Sequence, residues 1–497
     1  MITEVRTANS PDLKFLQREL EAIQEKMNQA VDLQRPTIAA LHPAQKLSAE
    51  NLIRYLTLRS DDIRNLQDHL HIAGLSSLAS SESHILRQLQ AILQRLGREI
   101  ETSELSACDY LTGSTLIRHR STQLFGEKND PSIPYLMVTF DSEFADNFQL
   151  IKKLLDAGMN IARINCAHDD EETWRDMIDL VHEASKRTRI PCKIYMDLGG
   201  PKLRTGLLGR GRRVGKASLM EGQELMLAEK DSDYDPSAVV ISCSEPNIIR
   251  QLKPGERVLF DDGIIETIVQ SNANGIAALR IVRISGKKPQ IKTGKGINFP
   301  DSELDLPALT ERDRSLLPFI CEHADLVGYS FVREAEGVME LQKMLGSHST
   351  KPHMIIKIET PQAVKNLPSL LIQGMMDEVF GVMIARGDLA VEIGFERMSE
   401  IQEEISWICE AAHAPVIWAT QVLETMNKSG IATRSEITDA SHAAMAECVM
   451  INKGDHIIKV LKTLTDILKR TGGHHVKKRY TFRPMQIAKN YFLIDPD

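Results

Sequence analysis

Aromatic residues are scarce in this chain: only 5% of its 497 positions are Phe, Trp or Tyr. Its core must therefore be built mostly from aliphatic side chains. No run approaches the roughly 20 apolar residues a membrane helix needs, and Met1 to Pro11 lacks the apolar stretch of a secretory signal. None of the seven cysteines (Cys108, Cys166, Cys192, Cys243, Cys321, Cys409, Cys448) forms a CxxC pair. Scattered thiols in apolar runs argue against a disulfide framework and predict a reducing, cytoplasmic setting. Excess positive charge is also missing: the formal net charge is -8, with no long block of one sign, which argues against a nucleic-acid or membrane-surface partner. What the chain does have is 42% hydrophobic and 26% charged residues, enough for two or three packed domains at roughly 100–200 residues each.

The hydrophobic pattern divides the chain. Ser10-Pro11 predicts a helix start, and Leu13, Leu16, Leu20, Ile23 and Met27 then recur in steps of three and four, on one helical stripe. Similar stripes predict helix over 48–72 and 82–97, so residues 1–130 read as an all-α domain left through Asp130-Pro131-Ser132-Ile133-Pro134. From Tyr135 the rhythm changes to short, nearly all-apolar runs: YLMVTF, MNIARINC, CKIYMDL, DLVGYSFV, HMIIKIE, VFGVMIA, PVIWAT and CVMIN. Helical patterns separate them at Asn147–Asp156, Glu171–Arg187, Ala335–Leu345, Ser399–Ala412 and His456–Leu468. Eight strands buried on both faces and alternating with helices predict an α/β fold, a closed parallel (β/α)8 barrel over 131–205 and 293–470. The long interval after the third strand carries turn signals and alternating runs, and predicts a small all-β lid over 206–292. Residues 471–497 read as a tail, with His474-His475 a solvated end rather than a metal site.

In such a barrel the chemistry sits at the carboxyl ends of the strands. Lys357 and Glu359, two apart on the fifth strand, face the same side. An ammonium and a carboxylate pointing inward are costly unless paired or ligand-bound. Asp388 follows Gly387 at the next strand end. Glu359 and Asp388 together make a sparse hard-oxygen site that suits Mg2+ or Mn2+. The competing expectation is an internal salt-bridge network of Lys357, Glu359, Asp388 and Arg386. Gly387 would let an anion approach the amides of the following helix start.

Seven stretches in order, AGMNIARINCAH, DLGGPKLRTG, GKGINFPDSELDLPALTERD, IIKIET, MIARGDLAVEI, WATQVLETM and ATRSEITDASHAAM, resemble the motifs of the pyruvate kinase family. The resemblance covers about residues 135–470. It implies a glycolytic transferase moving the phosphoryl group of phosphoenolpyruvate to ADP or another nucleoside diphosphate, giving pyruvate and ATP, in a cytoplasmic homo-oligomer. Arg163 would hold the substrate phosphate, and Lys357 would sit over the transferring group. Glu359 and Asp388 would bind Mg2+, and amides around Gly387 and Asp388 would take the substrate carboxylate. Thr420 would stand by the enolate carbon, Arg204 and Lys295 would contact nucleotide phosphates, and Ser330 and Arg333 would support them.

The departures from the family are specific. Asn165, Asp197, Leu198 and Lys202 occupy the monovalent-cation region, with Ala167 and Lys202 where potassium-dependent members have a serine and a carboxylate. A fixed ammonium at Lys202 implies that K+ is not required. The eighth strand ends Met450-Ile451-Asn452-Lys453-Gly454-Asp455 instead of a Ser-Gly-Glu-Thr loop. The first ends Thr139-Phe140-Asp141-Ser142, without the family's Gly-Pro turn. The few residues after the eighth helix imply that the family's C-terminal allosteric domain is not expected, and the family's common architecture has no counterpart for the N-terminal helices. Another enolate enzyme with a different acceptor, or a ligand-binding sensor on the same barrel, remain the alternatives at this stage.

Overall fold

A computed structural model describes residues 12–128, 130–232, 234–286, 289–472, 475–476 and 479–480. Eight parallel strands close into a barrel: β1 Tyr135–Phe140, β2 Ile161–Asn165, β3 Lys193–Asp197, β4 Leu326–Tyr329, β5 His353–Ile358, β6 Phe380–Ala385, β7 Val416–Ala419 and β8 Cys448–Ile451. Around the ring the order is β1-β8-β7-β6-β5-β4-β3-β2. Seven of the strands are buried almost throughout, which is why they read as nearly unbroken apolar runs rather than alternating ones. The end of β5 is fixed by local chemistry. After β5, Thr360 caps the next helix by accepting from the Ala363 amide, with Pro361 following it at the first turn. That cap stops the strand and leaves Glu359 at the mouth.

The chain between β3 and β4 forms a seven-stranded sheet running from Thr205 to Asn298, with its own aliphatic core. Its Asp261-Asp262-Gly263 turn rests close to Val391 and Phe395, beyond β6.

Helices Leu13–Leu33, Lys46–Arg59, Arg64–Ile72, Ile85–Arg95 and Tyr110–Phe125 precede the barrel. The expected helix over 48–72 is two helices, because the Ser60–Ile63 turn, with Asp62 accepting from the Arg64 amide, interrupts it. The Ser10-Pro11 start lies outside the described residues, and the helix there is capped by Asp12; His474 likewise lies outside them. These helices share one continuous apolar core with the barrel's outer layer. Leu124 and Phe125 enter the barrel's amino-terminal end beside Tyr135, Leu326 and Ile355. Buried Arg120 donates to the carbonyls of Ala44, Ala412 and His413, and Asn51 donates to Glu82 and Ala411. This polar clamp joins the helices to the barrel. The seven cysteines are free, and no helix among the described residues is long and apolar enough to cross a membrane.

Candidate active site

Four charged side chains converge at the carboxyl ends of β2, β3 and β5. Arg163 donates to Asp197 through Nε at 2.9 Å and also through Nη2, while its Nη1 reaches Thr139 Oγ1 at 3.0 Å. Lys357 Nζ lies 3.1 Å from both Asp197 and Glu359 and donates to Ser330 Oγ at 2.6 Å. Ser330 in turn donates to the Leu198 carbonyl at 2.7 Å. The remaining Glu359 oxygen accepts from the Phe331 amide at 2.6 Å, an amide turned toward it by a left-handed backbone at Phe331 (φ 55°). Burial alone would lower the Lys357 ammonium, but the carboxylates of Asp197 and Glu359 outweigh it and hold its pKa above the ordinary value. Burial likewise opposes ionisation of Asp197, and Lys357 and Arg163 reverse that, lowering it. Glu359 goes the other way. Burial raises it, Lys357 only partly offsets this, and Asp388 and Asp197 add like-charge repulsion.

Two residues that the sequence did not single out make this packing possible. Tyr195 donates its hydroxyl to Asp197 at 3.1 Å. A β-carbon on Gly328 would come within 2.0 Å of that hydroxyl and 2.3 Å of the Asp197 carboxylate, so only glycine fits. The signal was present in the alternation of β3, which puts Tyr195 and Asp197 on one face, and in the lone Gly within the apolar run of β4.

Asp388 enters from the helix Arg386–Ile393, in its first turn. Its partner is Lys202, at 2.7 Å, and its second oxygen takes no hydrogen bond among the described residues. Of the competing salt-bridge network of Lys357, Glu359, Asp388 and Arg386, only the Lys357–Glu359 pair is formed: Asp388 pairs with Lys202, and Arg386 turns away to Asp439. Gly387 also differs from expectation. Its amide donates to Thr420 Oγ1 at 2.7 Å, so an anion at this helix start meets the later free amides of the turn, or displaces that hydroxyl. In the expected monovalent-cation region, Asn165 accepts from the Ala167 amide, Leu198 is buried, and Asp197 is fully engaged by Arg163, Tyr195 and Lys357.

The donor set fits a hard divalent cation. Two carboxylates stand at neighbouring strand ends: Glu359, buried and held above its ordinary value by burial first and by Asp388 to a lesser degree, and Asp388, with one oxygen that takes no hydrogen bond among the described residues. No group of three His, Cys, Asp or Glu side chains among the described residues completes a cage. The other positions would fall to water and substrate oxygens, the habit of Mg2+.

On the lid side, Arg204 donates to the Gly294 carbonyl at 3.1 Å and Lys295 pairs with Asp261 at 2.8 Å. Arg333 donates to the Leu306 carbonyl. Glu392, one turn beyond Asp388, accepts from Asn298 Nδ2 at 2.7 Å and so ties the returning lid strand to the helix. Burial, then Asp388 and Asp301, push the Glu392 carboxyl up from 4.5 to about 7. Between those values the native state holds a proton that the unfolded chain has lost. Stability at this site is thus complete below pH 4.5 and falls as pH rises through 7, by roughly 3 kcal/mol. Glu392→Gln keeps the acceptor for Asn298, so its melting temperature should exceed that of the unmodified chain at about pH 8 and match it near pH 4.5. An equal difference at both pH values would refute the assignment.

The family model described as "Pyruvate kinase, barrel domain" matches residues 137–455. The chain is 33% identical over 309 residues to a cytosolic pyruvate kinase isozyme of Solanum tuberosum, covering 61% of this chain and 58% of that protein. It is 33% identical over 335 residues to the pyruvate kinase of Geobacillus stearothermophilus, covering 66% and 55%. For the pyruvate kinase of Clostridium perfringens the figures are 33% over 334 residues, 66% and 68%. The chain thus spans little more than half the length of the first two of these relatives. A barrel whose mouth gathers Arg163, Lys357, Glu359 and Asp388, and whose sequence matches that model across most of its length, belongs to the pyruvate kinase family.

Proposed function

We propose that this chain transfers the phosphoryl group of phosphoenolpyruvate to ADP or another nucleoside diphosphate in the presence of Mg2+ or Mn2+. The P–O bond of phosphoenolpyruvate breaks, a bond to the terminal diphosphate oxygen forms, and the released enolate takes a proton at its methylene carbon to give pyruvate. The observation that carries this reading is the buried convergence of Arg163 and Lys357 with the carboxylates Asp197 and Glu359, beside Asp388 at the next strand end. Burying such pairs rarely stabilises a fold more than apolar packing would, so their retention points to a ligand.

Arg163 binds the substrate phosphate. Lys357, held by Ser330, lies over the phosphoryl group as charge spreads over its oxygens. The divalent ion held by Glu359 and Asp388 would neutralise phosphate and enolate oxygens when bound. Thr420, its oxygen already taking the Gly387 amide, is free to present its own proton toward the enolate side. Arg204 and Lys295 take the diphosphate from the lid, whose closure excludes water as a competing acceptor. A concavity of 880 Å3 beside β1 and β8, bordered by Asp141, Phe144, Lys453 and His456, offers room for the nucleoside, with Lys453 paired to Asp141 at 2.9 Å.

The test is pyruvate formation by purified protein with Mg2+, phosphoenolpyruvate and a panel of nucleoside diphosphates. Formation that requires a diphosphate supports the reading. The replaced β8 loop favours one second reading, an enolate enzyme with another acceptor, whose mark is exchange of pyruvate methyl protons without phosphoryl transfer. Phosphoenolpyruvate binding with neither reaction would exclude both.

We infer further that the Lys202 ammonium, 2.7 Å from Asp388 and 5.9 Å from the centre of the Phe331 ring, replaces a monovalent cation. Turnover in tetramethylammonium buffer should match that in K+. Lys202→Glu, which sets a carboxylate beside Asp388, should lose about tenfold or more without K+ and regain part of it with K+. Full dependence of the unmodified chain on K+ would overturn this inference.

A further inference from the structure

Thr420 and Gln421, just past β7, both have left-handed backbones (φ 65° and 57°). For a β-branched residue this conformation is a true outlier, costing about 1–3 kcal/mol, and it persists only where the surroundings enforce it. Arg386 supplies the enforcement. Its Nε donates to the Ala419 carbonyl at 3.0 Å and its Nη2 to the Thr420 carbonyl at 2.6 Å. In a regular strand successive carbonyls point to opposite sides. Two consecutive carbonyls can meet one guanidinium only if the chain leaves strand geometry at Thr420. The guanidinium is itself fixed by the Asp439 carboxylate, with Nη2 at 3.0 Å, and lies 4.7 Å from the centre of the Trp418 ring. With the backbone so held, Thr420 Oγ1 sits 2.7 Å from the Gly387 amide. Arg386 starts the helix that also carries Gly387 and Asp388. One side chain thus links the helix that carries Asp388 to the β7 end.

We propose that Arg386 is a positioning residue for the proton step, acting through Thr420 by locking its backbone in the left-handed conformation that aims its hydroxyl. This rests on the phosphotransfer reading above. Lysine cannot reproduce the planar fork that reaches both carbonyls and Asp439, so Arg386→Lys is the informative change, and Asp439→Asn, which leaves the carbonyl contacts intact, is the milder second variant.

The experiment places both variants in the unmodified and Thr420→Ala backgrounds and measures pyruvate formation, exchange of pyruvate methyl protons with deuterated solvent, and Mn2+ binding. Arg386→Lys should lower both rates about 10- to 100-fold with Thr420 present and less than about twofold in the Thr420→Ala background, because residues acting as one unit are not additive. Asp439→Asn should show the same background dependence at smaller size, and Mn2+ binding should stay unchanged. Equal losses in both backgrounds, or losses that track Mn2+ binding, overturn the proposal while leaving the phosphotransfer reading standing. An unmodified chain silent in both rate assays overturns that reading, and the proposal with it.

Discussion

Lys357→Met should lower pyruvate formation by about 10^3-fold or more, while Mn2+ binds at least as tightly as before. The rate loss follows from position. The ammonium stands at the barrel mouth, fixed by Ser330 at 2.6 Å and by two carboxylates at 3.1 Å, so it needs no reorganisation as charge develops on the transferring group. Removing a single preorganised neutral donor already costs about 10^2–10^3-fold, and a buried cation supplies more. Metal binding should survive because methionine removes a positive charge from beside Glu359 and Asp197 and leaves the site hungrier for a cation. Stability should show the same imbalance. Breaking a buried pair costs about 3–5 kcal/mol, so the metal-free variant should melt lower and recover much of the difference when Mn2+ is added. Turnover near that of the unmodified chain would remove Lys357 from the chemistry. Loss of Mn2+ binding would mean that the lysine organises the carboxylates rather than the phosphoryl group.

Much of this architecture was legible because a parallel barrel leaves an unusually plain imprint. Strands covered on both faces have no polar side to interrupt them, and β1, β6 and β8 stand out as continuous runs. The charged residues at their ends were visible by contrast, since Lys357 and Glu359 break such a run only where it reaches the mouth. What escaped the sequence was pairing. Spacing along one strand shows that Lys357 and Glu359 share a face. It cannot show that Asp388 meets Lys202 from 186 residues away, or that Arg386 leaves the expected network for Asp439. The helix Tyr110–Phe125 escaped for a related reason. Its buried face is interleaved with Gly113, Arg120 and Ser121, polar or small residues whose cost is met by barrel carbonyls and close approach, so no apolar stripe announces it. The left-handed residues Phe331 and Thr420 had no local signal, because bulky and β-branched side chains give no hint of a conformation that tertiary contacts impose.

The choice between a metal site and a set of internal salt bridges is made by Asp388→Asn and Glu359→Gln together. If the carboxylates serve only as partners for lysines, Asp388→Asn merely frees Lys202. That pair is partly exposed, at 27% and 21% for the two side chains, and losing it should cost no more than about 1 kcal/mol of stability and leave Mn2+ titrations unchanged. If the two carboxylates are ligands of one ion, each isosteric amide should weaken Mn2+ binding by about 100-fold and pyruvate formation by about 10^3-fold, since a neutral amide offers one oxygen and no charge. The double variant should then bind Mn2+ little worse than either single one, because the second change acts on a site the ion has already left. The two changes should also differ in a way only the buried ligand can produce. Burial first, and then Asp388, hold the Glu359 carboxyl above its ordinary value, so Asp388→Asn removes a repulsion and should lower the pH at which Glu359 ionises. Additive losses, each confined to melting temperature, would leave Lys357 and Lys202 as structural cations and take the ion, and with it the phosphoryl transfer, out of this barrel.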